Sequence, residues 1–94
     1  MAIARVVSFD GVSKERMEEI KANMAEGDRP EGMPATEFIM LHDADSENAV
    51  AIVFFETEDD YRQGDEVLSA MPASDTPGQR TSVKRYDVAH RMTV

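Results

Sequence analysis

The sequence predicts an α+β fold of four strands and two helices in the order β-α-β-β-α-β. Three observations point there. Apolar residues recur at helical spacing in two stretches, each introduced by a capping residue. A run at 49–55 contains no polar side chain, and Pro/Gly-rich loops at 27–34 and 72–79 punctuate the chain.

Residues 2–9 read as the first strand, with Ile3, Arg5, Val7 and Phe9 alternating onto one face, and Asp10-Gly11 closes it. Ser13 stands at an N-cap position, with Val12 placed to meet Met17 as a hydrophobic staple. The first helix then runs over 14–26, carrying Met17, Ile20 and Met24 on one stripe with Glu15, Glu18 and Glu19 turned away, and Gly27 stops it.

Beyond the first Pro/Gly loop, 35–42 forms a strand whose two faces are both substantially apolar. Thr36, Phe38, Met40 and His42 alternate against Glu37, Ile39 and Leu41. An acidic turn at 43–48 leads into the strand at 49–55, whose polar-free sequence marks a central position buried on both sides. Thr57 with Asp60 three residues on begins the second helix, and Tyr61, Gly64, Val67, Leu68 and Met71 recur at helical spacing up to Pro72. Gly64 lies on the inward stripe, where it costs up to about 1 kcal/mol in helix propensity, so its expected use is close approach to the sheet. Residues 80–92 form the last strand, with Val83, Tyr86, Val88 and His90.

Ninety-four residues suffice for a single domain spanning 1–94. A net charge of -9 disfavours nucleic acid and anionic membrane surfaces as partners, and no stretch approaches the roughly 20 apolar residues of a membrane span. The absence of cysteine removes disulfides, thiolate nucleophiles and Cys-ligated metals, and with no apolar leader at the start it fits a cytoplasmic location. Sliding the chain by half its length pairs Ala4 with Ala51, Val6 with Val53, Ile20 with Val67 and Leu41 with Val88, which suggests two similar β-α-β halves. Such halves interleave as a split βαβ, giving a ferredoxin-like sandwich: a four-stranded antiparallel sheet with two helices on one face.

Two helices cover one side of that sheet, yet both sides of the middle strands are apolar. The uncovered face amounts to about 400 Å², near the limit that soluble monomers leave exposed. At about 25 cal/mol per Å² it represents on the order of 10 kcal/mol per protomer, doubled in a symmetric pair, against association costs of about 4 to 15 kcal/mol. The expected partner is therefore a second copy, sheet to sheet.

Three segments carry a family resemblance: 4–11 (ARVVSFDG) before the first helix, 53–60 (VFFETEDD) into the second, and 80–86 (RTSVKRY) opening the last strand. With this length and element order, the chain resembles the dimeric α+β barrel superfamily, whose members include antibiotic biosynthesis monooxygenase-like domains, haem-degrading monooxygenases and muconolactone isomerases. The resemblance implies a sheet-to-sheet dimer with a small pocket between sheet and helices or inside the barrel. Haem-degrading members use an Asn/Trp/His set, and this chain has no tryptophan, so no family catalytic residue transfers to it. Neither cofactor nor metal is expected.

Arg5 decides the expected face assignment, because an unpaired arginine pressed under the helices would be costly. Placing Arg5 toward the barrel brings Val7 and Phe9 with it. The half-chain offset adds Glu37, Ile39, Leu41, Ile52, Phe54 and Tyr86, and leaves Ala4, Val6, Ala51, Val53 and Phe55 beneath the helices. A hairpin slipped by one residue would present Phe38, Met40 and His42 instead. The ligand-binding set expected from this reading is Arg5, Glu37, Ile52, Phe54 and Tyr86, suited to orienting a small, partly apolar anion or phenol. The plainer alternative is that Arg5 and Glu37 neutralise one another in the interface.

His42, followed by Asp43, Asp45 and Glu47, reads as a hairpin turn rather than a calcium loop, and His90 as exposed strand. The methionines read as packing, and Asp59, Asp60, Asp65 and Glu66 as a solvated helix face. Three functions follow: binding of a small apolar or aromatic molecule with no assigned reaction, cofactor-free oxygenase or isomerase chemistry on an aromatic or quinone-like substrate, or purely structural dimerisation.

Overall fold

The computed structural model describes residues 2–25 (23–25 by backbone alone), 33–70 and 78–93. The elements are β1 (Ile3–Asp10), α1 (Lys14–Ala25), β2 (Glu37–Asp43), β3 (Asn48–Phe55), α2 (Glu58–Ser69) and β4 (Gln79–Asp87). The strands form one antiparallel sheet in the order β2-β3-β1-β4, the ferredoxin-like α+β arrangement expected from the sequence. The expected Met24 side chain, the Gly27 stop, Met71, Pro72 and most of both Pro/Gly loops lie outside the described residues.

Local chemistry sets the element ends. The Ser13 hydroxyl accepts from the Arg16 amide at 3.1 Å, and Thr57 accepts from Asp60 at the same distance, so each helix starts at its expected cap. Val12 and Met17, both buried, pack in one cluster with Val7, Phe9, Ala49 and Ala51 as the staple requires. The β2–β3 turn has no glycine, and Glu47 takes the left-handed conformation there at φ 57°. The Asp43 carboxylate holds this turn by accepting from the Asp45 and Ser46 amides, and the Glu47 carbonyl accepts from the Val12 amide at 2.7 Å.

Gly64 lies where α2 meets the sheet. A Cβ there would sit 2.2 Å from Phe55 Cε1, so the bare backbone is what lets the helix rest on this fully buried ring. Phe55 packs with Met33 and Val53, and meets Tyr61 edge to face at 5.7 Å.

Two expectations are corrected. The last strand ends at Asp87 rather than continuing to 92. β4 pairs with β1, whose ladder begins at Ile3 opposite Asp87, and after a final bond from the Val88 amide to the Ala2 carbonyl no described strand remains to pair with. The faces of β1 are also exchanged. Arg5 pairs across the ladder with Val53, and Val7 with Ala51, so Arg5, Val7 and Phe9 lie under the helices with Ala51, Val53 and Phe55. Ala4 and Val6 turn to the opposite side. Odd-numbered residues face the helices in both β1 and β3, and a half-length slide pairs odd with even, which inverts one strand relative to the other.

Candidate functional site

The sheet face away from the helices takes alternate residues from all four strands. Glu37 lies opposite Phe54, Ile39 opposite Ile52, Leu41 opposite Val50, Phe54 opposite Ala4, and Tyr86 opposite Ala4 from the other edge. Glu37, Ile52, Phe54 and Tyr86 thus share one face, in the register the sequence reading preferred. The slipped alternative does not occur, and Phe38, Met40 and His42 point to the helix side. Val6, Ile39, Val50, Ile52 and Phe54 are half-buried, while Leu41 and Tyr86 are 52% and 51% exposed. Exposed apolar groups also occur on the helix side of the edge strands, at Phe38 and Val83.

Arg5 is absent from this face. It is 3% exposed beneath α2, its Nε donating to Asp65 Oδ1 at 2.8 Å and its Nη2 reaching Ser69 Oγ at 3.5 Å. The expected penalty for an arginine under the helices assumed that it had no partner. Asp65 supplies one from α2, so Asp65 is not merely part of a solvated face. A trace of this was visible in the spacing of Tyr61, Asp65 and Ser69 by four residues, which lines them up beside Gly64 on the helix. The guanidinium is committed to Asp65 and is unavailable to an anion on the opposite face.

Glu37 does not pair with Arg5 either; its carboxylate accepts from Arg91. After β4 the chain crosses this end of the sheet, and the Arg91 guanidinium lies 4.5 Å from the centre of the Phe54 ring. One corner of the open face therefore carries a cation over an aromatic ring, anchored to the far edge strand. Tyr86 stands at the other edge, with its phenol in solvent range.

On the helix side, burial raises the Tyr61 phenol above its ordinary range, with a further upward push from the Asp65 charge, against the opposing effects of Arg5 and Arg85. The Asp43 carboxyl is lowered, chiefly by its hydrogen bonds to Ser46. His42 is half-buried and bonds through Nε2 to the Val12 carbonyl at 2.9 Å, which makes Nε2 the protonated nitrogen and ties the ring to the start of α1. His90 is exposed, beyond the end of β4.

Between α1 and β2 runs a half-open cleft of about 390 Å³. Met17, Ile20 and Met40 are the apolar part of its lining, and Lys14, Lys21 and His42 contribute nitrogen-bearing side chains. No group of three or more His, Cys, Asp or Glu residues suited to a metal ion occurs among the described residues, and no described helix is long and apolar enough to cross a membrane. No family model, curated protein or solved structure matches this chain.

Proposed function

We propose that the protein pairs with a second copy of itself through the open sheet face and holds a small apolar or aromatic molecule against Ile52, Phe54 and Tyr86. One observation carries this reading: Val6, Ile39, Val50, Ile52 and Phe54 form a continuous apolar surface with no described helix over it, extended by exposed Leu41 and Tyr86. An antiparallel sheet that ends in water alternates apolar with polar residues, and β3 has no polar residue facing outward along its central length. Face-to-face pairing of two such sheets is the isologous contact of a two-fold dimer. The Tyr86 hydroxyl and the Arg91–Glu37 pair supply polar groups at its margins, a composition suited to a ligand that is mostly apolar with one hydroxyl or carbonyl.

Sedimentation of the wild type and of Ile52→Lys tests the pairing, with thermal shift against hydroxylated aromatics and quinones testing the ligand. A dimer at micromolar concentration that Ile52→Lys dissociates, and whose stabilisation by a panel member is lost in Ile52→Lys, is the expected result. A compact wild-type monomer overturns the pairing, and a panel without any stabilising compound overturns the ligand.

A further inference from the structure

We infer that the cleft between α1 and β2 is a second, separate binding site, for a small amphiphilic anion with an apolar or aromatic body and one carboxylate. It lies on the helix side of the sheet, away from the face proposed for pairing, and none of its described lining residues belongs to that face.

The volume, about 390 Å³, lies within the range of small-molecule sites. The floor is built for an apolar guest. Met17 and Ile20 are buried at 4% and 8% exposure, and Met40 joins the same core from β2, so the thioethers present a polarisable, adaptable wall to a ring. The rim carries the charge. Lys14 and Lys21 are seven residues apart, two turns along one side of α1 and roughly 10 Å by helical rise.

These two ammonium groups are not equivalent. Lys21 lies 3.6 Å from the Glu18 carboxylate and is partly neutralised, whereas Lys14 has no ion-pair partner among the described residues. Among the described residues the lining holds two ammonium groups and one carboxylate, an excess of cation on a chain whose net charge is -9. His42 is held by its Nε2 bond to the carbonyl of Val12, two residues before Lys14, so the ring lies at the end of the cleft where α1 begins at Lys14. An apolar floor with an uncompensated lysine at one end selects a guest with a ring at one pole and a single negative charge at the other. A dianion would meet Glu18, and a neutral hydrocarbon would leave Lys14 unused.

Phenylacetate and its neutral analogue phenylacetamide, titrated into the full chain with methyl-labelled methionine, test this by NMR. Phenylacetate should bind at least about tenfold more tightly than the amide, the equivalent of one charge-assisted hydrogen bond. The Met17 and Met40 methyls and the His42 ring should shift. Lys14→Gln, at an exposed position, should remove most of the difference between the two probes while the apolar contact persists. Ile52→Lys should leave the phenylacetate-induced shifts of Met17, Met40 and His42 unchanged, because the cleft does not include the open face, so loss of pairing and loss of this site are read separately. Equal affinity for acid and amide, shifts confined to residues of the open face, or no shift at millimolar phenylacetate would each overturn the assignment.

Discussion

Gly64→Ala tests directly whether α2 is held against the sheet by a bare backbone. The new methyl carbon would lie 2.2 Å from Phe55 Cε1, 2.4 Å from Cζ and 3.3 Å from Met33 Sδ. Carbon atoms settle at about 3.5–4.0 Å, so the ring or the helix must give way by more than about 1 Å. Phe55 is fully buried and braced edge-on by Tyr61, which leaves the ring little room to move. Overpacking of this kind costs about 1–3 kcal/mol. Alanine recovers about 1 kcal/mol of helix propensity, so the expected net loss is about 1 kcal/mol, with the clash winning. Urea denaturation at fixed protein concentration measures it, and Phe55→Leu in the same background should relieve the clash, so that the double variant loses less than the sum of the two singles. A helix glycine in open space would instead gain about 1 kcal/mol on becoming alanine. A stabilised Gly64→Ala variant would refute the close approach.

Two further expectations concern charge. Asp65→Ala strands a buried guanidinium and should cost about 2 kcal/mol, less than the full buried-pair penalty because Asp65 is itself 41% exposed; Arg5→Met leaves Asp65 able to hydrate and should cost under about 1 kcal/mol. Denaturant midpoints that rank the two variants the other way would show that the pair does not hold α2 as described. The Asp43 carboxyl is lowered in the folded chain, so its contribution to the hairpin turn is present above the ordinary carboxylate value of 3.8 and is lost as pH falls through the lower folded value. Carbon-detected titration of Asp43 should give a midpoint below 3.8, and Asp43→Ala should loosen the turn amides of Asp45 and Ser46. A midpoint at or above 3.8 would mean that the Ser46 and Asp45 bonds do not persist in solution.

Much of the scaffold follows from local rules acting over a few residues. Capping at Ser13 and Thr57, the staple between Val12 and Met17, the polar-free run of β3 and the role of Gly64 depend on near neighbours and on side-chain period, and each appears where the sequence puts it. Alternation along a strand likewise sorts residues into two sets with certainty: Arg5 goes with Val7 and Phe9, and Glu37 with Ile39 and Leu41. Alternation is silent on which set meets the helices. That choice depended on the solvation of Arg5, and its partner Asp65 is sixty residues away on another element; the helical spacing of Asp65 puts it beside Gly64 but does not say which strand residue it meets. The turn of Arg91 across Phe54 to Glu37 is likewise invisible before the strands are placed, because the sheet itself brings Arg91, which follows β4, over the opposite edge. Period and propensity determine the elements; the pairing of charges across the folded chain decides which face is core and which is left open.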